Sequence, residues 1–222
     1  MMYEPQRVEV ARTALSLLTT GLIVGTSGNA SIRVGEHVVI TPSGRDYESL
    51  RPRDIAIVDL NGTVIDGDAL PSSETSLHAS VYASNPDAKA IVHAHSDYAT
   101  AVSTLVDLLP AIHYQMADLG GPVPVAPYRT FGSNELAEVT SQALLGRSAV
   151  IMKNHGTLTT AGTLEKALRR CVTLEWCSKV YLKALAAGSP SILSDDEMAQ
   201  AKKQMDNFED KRQAFKPTRN HN

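Results

Sequence analysis

This sequence predicts an α/β fold, on three observations. Apolar runs of strand length alternate with longer stretches of helical periodicity, and an Asn61-Gly62 pair separates two of the early strand-like runs. The 222 residues suit one large domain better than two small ones, since common domains hold ~100 to 200. Hydrophobic residues make up 43% of the chain and aromatics only 5%, so a sizeable core must be filled by Val, Ile, Leu and Ala. A single domain over residues 1–222 is expected, ending in a tail at about residues 213–222 whose polar, basic composition predicts fraying.

Residues 5–20 open the chain as an amphipathic helix: Val8, Ala11, Leu15 and Leu18 recur at helical spacing, and Gly21 follows as a stop. Strand-like runs at 30–33, 37–41, 55–60 and 63–65 come next, joined by glycine-containing loops. Short consecutive strands joined this way pair antiparallel. Pro71-Ser72-Ser73 introduces a helix over 74–84, because serine caps free amides, and Asn85-Pro86 stops it. A buried strand at 90–95 is followed by a helix at 96–106, a loop-bearing segment at 110–121, a helix at 135–145 and an apolar strand at 150–153. Residues 163–187 are the longest helical pattern, capped by Thr163 and closed by Gly188-Ser189-Pro190, and residues 195–208 read as a final helix.

Composition also excludes function classes. The net charge is -3, with acids and bases interspersed, so no face is prepared to neutralise a nucleic-acid backbone. There is no run of 18 apolar residues, and residues 1–6 lack a basic region ahead of an apolar stretch, so no membrane association and a cytoplasmic location are expected. Cys171 and Cys177 lie six apart in a helical pattern, on different sides of the helix, and read as reduced, packed thiols.

The chemistry concentrates in histidines. His93 and His95 end an apolar strand, where period-2 alternation points both imidazoles to one face and lets them grip a cation. His155 ends the next apolar strand, ahead of Gly156, and is the natural third ligand. Three imidazoles with a vacant position describe a catalytic divalent cation, usually zinc. Glu74, taken alone, reads as an ordinary first-turn carboxylate favoured by the helix dipole. Three segments offer backbone amides and small hydroxyls to a phosphate: Gly25-Thr26-Ser27-Gly28-Asn29, Thr41-Pro42-Ser43-Gly44 and Pro71-Ser72-Ser73. Each alone is a turn; together they point to a phosphorylated small molecule. His37, His78, His113 and His221 read as packing or surface residues, with His78 and His113 able to hydrogen-bond near the site.

In this order, Gly-Thr-Ser-Gly-Asn, Ile-Thr-Pro-Ser-Gly, Leu-Pro-Ser-Ser-Glu, Val-His-Ala-His and Asn-His-Gly resemble the class II aldolase and adducin superfamily. The likeness spans nearly the whole chain and includes residues 110–114 and 126–132. It implies a three-layer α/β/α fold around a largely antiparallel sheet and a C4 homotetramer with active sites between subunits. It also implies metal-dependent cleavage of a ketose 1-phosphate, such as L-fuculose 1-phosphate, to dihydroxyacetone phosphate and a small aldehyde through an enediolate.

The resemblance further assigns residues. His93, His95 and His155 would hold one divalent cation per subunit, expected to be Zn2+, and Glu74 would be the acid/base and a further contact of the metal. Gly28, Asn29, Ser43, Gly44, Ser72 and Ser73 would cradle the phosphate. Tyr114, from a neighbouring subunit, would handle the aldehyde oxygen, and Phe131 would line the aldehyde side. Burial is expected to raise the Glu74 pKa from ~4.3 toward neutrality. Phe208 departs from the tyrosine that the family's fuculose-phosphate enzymes carry in the final helix, which leaves the aldehyde partner open. The rivals on this scaffold are a 5-deoxypentulose-1-phosphate aldolase, a sugar-phosphate epimerase, a dehydratase, a decarboxylase and a non-catalytic adducin-like binding module. Glu74 stands where the family's epimerases usually place Asp, and the complete histidine set argues against the binding module.

Overall fold

In the computed structural model, which describes residues 1–214, the helices are α1 (Glu4–Thr19), α2 (Thr75–Ser84), α3 (Asp97–Ser103), α4 (Asn134–Ala143), α5 (Leu164–Ala187) and α6 (Asp195–Ala214). The strands are β1 (Asn29–Val34), β2 (His37–Ile40), β3 (Ala56–Asp59), β4 (Val64–Asp66), β5 (Ala90–Ala94), β6 (Leu108–Leu109), β7 (Val123–Ala126), β8 (Ala149–Met152) and β9 (Gly156–Ala161). They form one sheet in the order β4-β3-β2-β1-β5-β9-β8-β7-β6. Neighbours run antiparallel except β7 and β8, which are parallel.

The strand alternation is apolar on both sides, and that is why the fold has three layers. Val39, Ile57 and Val92 face a cluster with Val10, Leu17 and Cys171 of α1 and α5, while Val38, Ile40, Val58 and Ile91 face Leu77, Val81 and Leu136 of α2 and α4. Burying both faces draws ~1.5 to 3 kcal/mol from each fully enclosed Val, Leu or Ile. A third cluster gathers Val102, Met116, Ile151, Leu174, Cys177 and Met198 where α3, α5 and α6 cover the β6–β8 end. Both cysteines are buried and free. No helix among the described residues is long and apolar enough to cross a membrane.

The structure corrects several expectations. β9, central in the sheet, is absent from the pattern read along the sequence because Gly-Thr-Leu-Thr-Thr-Ala looks like a polar connector. All six residues are buried, and Thr159 donates its hydroxyl to Ala167 O at 2.8 Å. β6 and β7 flank the 110–121 segment, whose residues Tyr114–Leu119 form a 3-10 helix, and Pro124 hides β7. His155 does not end a strand; it sits in the turn between β8 and β9. Glu74 is the residue before the first turn of α2 rather than part of it. Helix α6 runs past Phe208 to Ala214, and residues 215–222, with His221 and most of the expected tail, lie outside the described residues.

Candidate metal centre

Strand register brings the histidines together. β1, β5 and β9 are neighbours, with Asn29 opposite His93 and Ala94 opposite Thr157. His95 lies one residue past β5, on the same side as His93, as the period-2 argument requires. The turn carrying His155 is fixed by two features. Asn154 adopts a left-handed conformation, φ 56°, with its N–H donated to Ser103 Oγ at 2.9 Å. Gly156 packs against β5 so closely that a Cβ there would collide with Ala94 O. Asn154 supplies the chain reversal and Gly156 the close approach. Gly28 is needed for both reasons: φ is 95°, and a Cβ would meet His93 O and Ile23 Cγ2 at 2.8 Å.

Glu74 is held where α2 begins: Ser72 Oγ accepts its N–H at 3.2 Å, and the helix has no other side-chain cap. Its carboxylate points into the sheet, with Oε2 2.9 Å from His93 Nε2 and Oε1 3.3 Å from His155 Nε2. His93 and His95 approach Nε2 to Nε2 at 2.8 Å. The three rings stand nearly perpendicular to one another, with centroids 4.8 to 5.0 Å apart. His93 Nδ1 lies 2.8 Å from Thr157 O, so in the neutral ring Nδ1 carries the proton and Nε2 keeps the lone pair that faces the cluster.

The electrostatics fit a cation between these atoms. Burial pushes the imidazoles of His95 and His155 down to about 3 and about 4, so both are neutral near pH 7 and free to ligate. Burial would raise the Glu74 carboxyl, but His93, His155 and Asn29 outweigh it and hold Glu74 well below the usual carboxylate range. The expected rise is therefore reversed. Burial likewise opposes a charge on His93, and the adjacent carboxylate overcomes it and raises that imidazole. One ligand atom from each of Glu74, His93, His95 and His155 lies within 4.8 Å of the others, and Glu74 Oε1 is buried without a hydrogen-bond donor. Imidazole nitrogens and an unsatisfied carboxylate oxygen make a donor set that could hold a divalent cation.

All three small-residue segments meet beside this cluster. Thr26 to Asn29, Pro42 to Gly44 and Ser72 to Ser73 line a cavity of about 130 Å³ together with Glu74, His95, His155 and Phe131. Hydrogen bonds tie two of the loops together: Ser43 N donates to Leu70 O and Ser72 N to Thr41 O. Those amides are spent, so these two serines can offer an anion their hydroxyls. Among the described residues, no Lys or Arg lines the cavity. Phe131 stands at its rim, 69% exposed. Tyr114 is not brought to the cluster within one chain; it lies half exposed in a separate groove of about 820 Å³ that also contains Met205 and Phe208.

Sequence reading missed the support behind these residues. Tyr47 donates its hydroxyl to Gly28 O at 2.6 Å, bracing the loop against His93. Asn29 lines the cavity, but its carboxamide is engaged by Glu74 Oε2 at 3.0 Å and His78 Nε2 at 2.5 Å. Glu175 on α5 accepts the N–H groups of Tyr98 and Ala99, both at 2.9 Å, and so anchors the start of α3 just after His95. These partners are distant in the chain and leave no local spacing signal.

Against known proteins, the family described as class II aldolase and adducin N-terminal domain matches residues 8–182. The 5-deoxy-D-ribulose 1-phosphate aldolase of Bacillus thuringiensis serovar kurstaki is 35% identical over 94% of this chain and 99% of its own length. The L-fuculose phosphate aldolase of Escherichia coli K12 is 42% identical over 86% of this chain and 89% of its own. A solved structure of an L-fuculose 1-phosphate aldolase superposes with a TM-score of 0.90 at 38% identity, covering 93% of this chain and 98% of that one.

Proposed function

The chain belongs to the class II aldolase and adducin family, and on that premise we propose that it is a divalent-metal-dependent aldolase acting on a ketose 1-phosphate. The products are dihydroxyacetone phosphate and a small aldehyde. The observation that carries this reading is the joining of the Glu74, His93, His95 and His155 cluster to the three-segment cradle in one cavity. A phosphate in the cradle sets the ketose beside Glu74, and the cradle's hydroxyls and amides, rather than a cationic side chain, hold it.

Breaking C3–C4 moves the bonding electron pair onto C3 and the C2 oxygen, and the C4 hydroxyl gives up its proton as the aldehyde forms. His93, His95 and His155 would hold the cation, expected to be Zn2+, which would supply Lewis acidity for the negative charge that develops. Glu74, ionised near neutrality, is the group within reach to take the C3 proton in the condensation direction and return it in cleavage. Gly28, Asn29, Ser43, Gly44, Ser72 and Ser73 are proposed to position the phosphate. Asn29 would act through its backbone or the second hydrogen of Nδ2, because Glu74 and His78 engage the rest of its carboxamide. Tyr114 of the partner subunit is proposed to stand by the aldehyde oxygen, and Phe131 to cover the aldehyde carbons, in a C4 tetramer.

Two substrates are separated only at the aldehyde end. A 6-deoxyhexulose leaves three carbons after C3–C4 cleavage, and a 5-deoxypentulose leaves two. The second reading rests on the 35% identity over 94% of the chain to the 5-deoxy-D-ribulose 1-phosphate enzyme, beside 42% over 86% to the L-fuculose phosphate enzyme. Zinc-loaded protein should release dihydroxyacetone phosphate from the 1-phosphates of L-fuculose, L-rhamnulose or 5-deoxyribulose, and relative kcat/KM ranks the aldehydes. Release from none of them refutes the aldolase reading.

A further inference from the structure

Glu74 immediately precedes α2 and His78 lies in its first turn, yet they meet through a third residue. Asn29 on β1 stands between them, with Nδ2 3.0 Å from Glu74 Oε2 and Oδ1 2.5 Å from His78 Nε2. On its other side His78 Nδ1 lies 2.6 Å from Ser31 Oγ, which is 2.8 Å from the Tyr82 hydroxyl; that hydroxyl also donates to Ser31 O at 3.0 Å. Glu74, Asn29, Ser31, His78 and Tyr82 are all buried, so water cannot repair a mismatch.

With Glu74 as a carboxylate, one direction of donation satisfies this chain. An ionised carboxylate accepts only, so the Asn29 amide must turn its NH2 to Glu74 and its oxygen to His78. His78 Nε2 must then carry the proton, and Nδ1, left with a lone pair, accepts the Ser31 hydroxyl. The Tyr82 hydroxyl shares its single hydrogen between Ser31 Oγ and Ser31 O, which closes the chain. Reversing Asn29 would set its oxygen against the Glu74 oxygen and its NH2 against the His78 N–H.

We propose that His78 is a positioning residue for Glu74: its Nε2–H fixes the orientation of the Asn29 carboxamide, which fixes the carboxylate. The inference rests on the reading of Glu74 as acid/base and metal contact. A histidine that only fills the core would serve stability without regard to which nitrogen carries the proton. Support of this kind behind a metal site is commonly worth ~10- to 100-fold in metal affinity or activity.

The test compares His78→Gln, whose terminal amide can still donate to Asn29, with His78→Met, which keeps the bulk and loses the donor. In wild-type protein, ¹⁵N-histidine NMR should show His78 protonated at Nε2 and bare at Nδ1. His78→Met should bind Zn2+ ~10- to 100-fold more weakly in chelator competition and lose C3-hydrogen exchange of dihydroxyacetone phosphate by a similar factor. His78→Gln should restore most of both, although both variants forfeit the Ser31 bond and melt lower. An Nδ1-protonated His78, or Gln and Met variants equal in Zn2+ affinity, overturns the proposal. The wild-type spectrum decides even where His78→Met does not fold. If wild-type protein exchanges no hydrogen, the aldolase reading falls while the tautomer and Zn2+ measurements still judge His78.

Discussion

Replacing Gly156 by alanine probes the joint between the two halves of the metal cluster. The residue lies beside His155 at the start of β9, and its hydrogens face the end of β5, where His93 and His95 sit. An added Cβ would lie far inside contact distance of Ala94 O and only 3.2 Å from both Ala94 C and His95 Cα. These are backbone atoms of a central strand and its exit, so no rotamer change relieves them. Overpacking of this kind costs ~1 to 3 kcal/mol. For a chain of this size each kcal/mol moves Tm by ~2 to 4 °C, so a fall of roughly 2 to 12 °C is expected. The same displacement shifts His155 relative to His95, so Zn2+ affinity should fall as well. Gly162→Ala is the control: Gly162 is exposed and a Cβ there meets nothing within 4 Å, so its effect should stay within ~0.5 kcal/mol. Calorimetric melting and chelator competition measure both quantities. If Gly156→Ala melts with Gly162→Ala and binds Zn2+ equally well, the close approach is not what holds the histidines together.

Glu74→Gln should fold and keep its histidine-held Zn2+ but lose C3-hydrogen exchange of dihydroxyacetone phosphate in deuterated water by ~10²- to 10⁴-fold; exchange at the wild-type rate would assign the base elsewhere. Chelator-treated protein should lose stability as pH falls from 6.5 toward about 4. Burial depresses His155 to about 4 and His95 to about 3, so over that range the unfolded chain binds protons that the fold refuses. Glu74, also depressed, adds to the loss below its ordinary 4.5, whereas the raised His93 works the other way, its contribution being lost as pH rises; melts that stay flat on acidification would contradict this balance. Mixing Tyr114→Phe chains with Glu74→Gln chains should recover part of the activity if the two residues meet across a subunit boundary. Confirmed mixed oligomers without recovery would count against a shared site.

What the sequence determined by itself was everything governed by neighbours along the chain. Period-2 spacing put His93 and His95 on one face, Thr163 capped α5 by accepting the Lys166 N–H, and Asn61-Gly62 turned β3 into β4. The three small-residue segments were legible as possible anion loops, and the ordered set of motifs carried the family. Tertiary structure decided what depends on residues far apart in sequence. β9 could not be read because its threonines are polar by composition and become core only when the carbonyls of β5 and α5 accept their hydroxyls. His155 joined His93 only because β9 lies beside β5, and Asn29 proved to hold Glu74 because β1 lies on the other side. The direction of the Glu74 shift was settled there too. Burial, which sequence could anticipate, raises a carboxyl, but the imidazoles that overrule it come from a strand end and a turn whose distance from Glu74 no local pattern encodes.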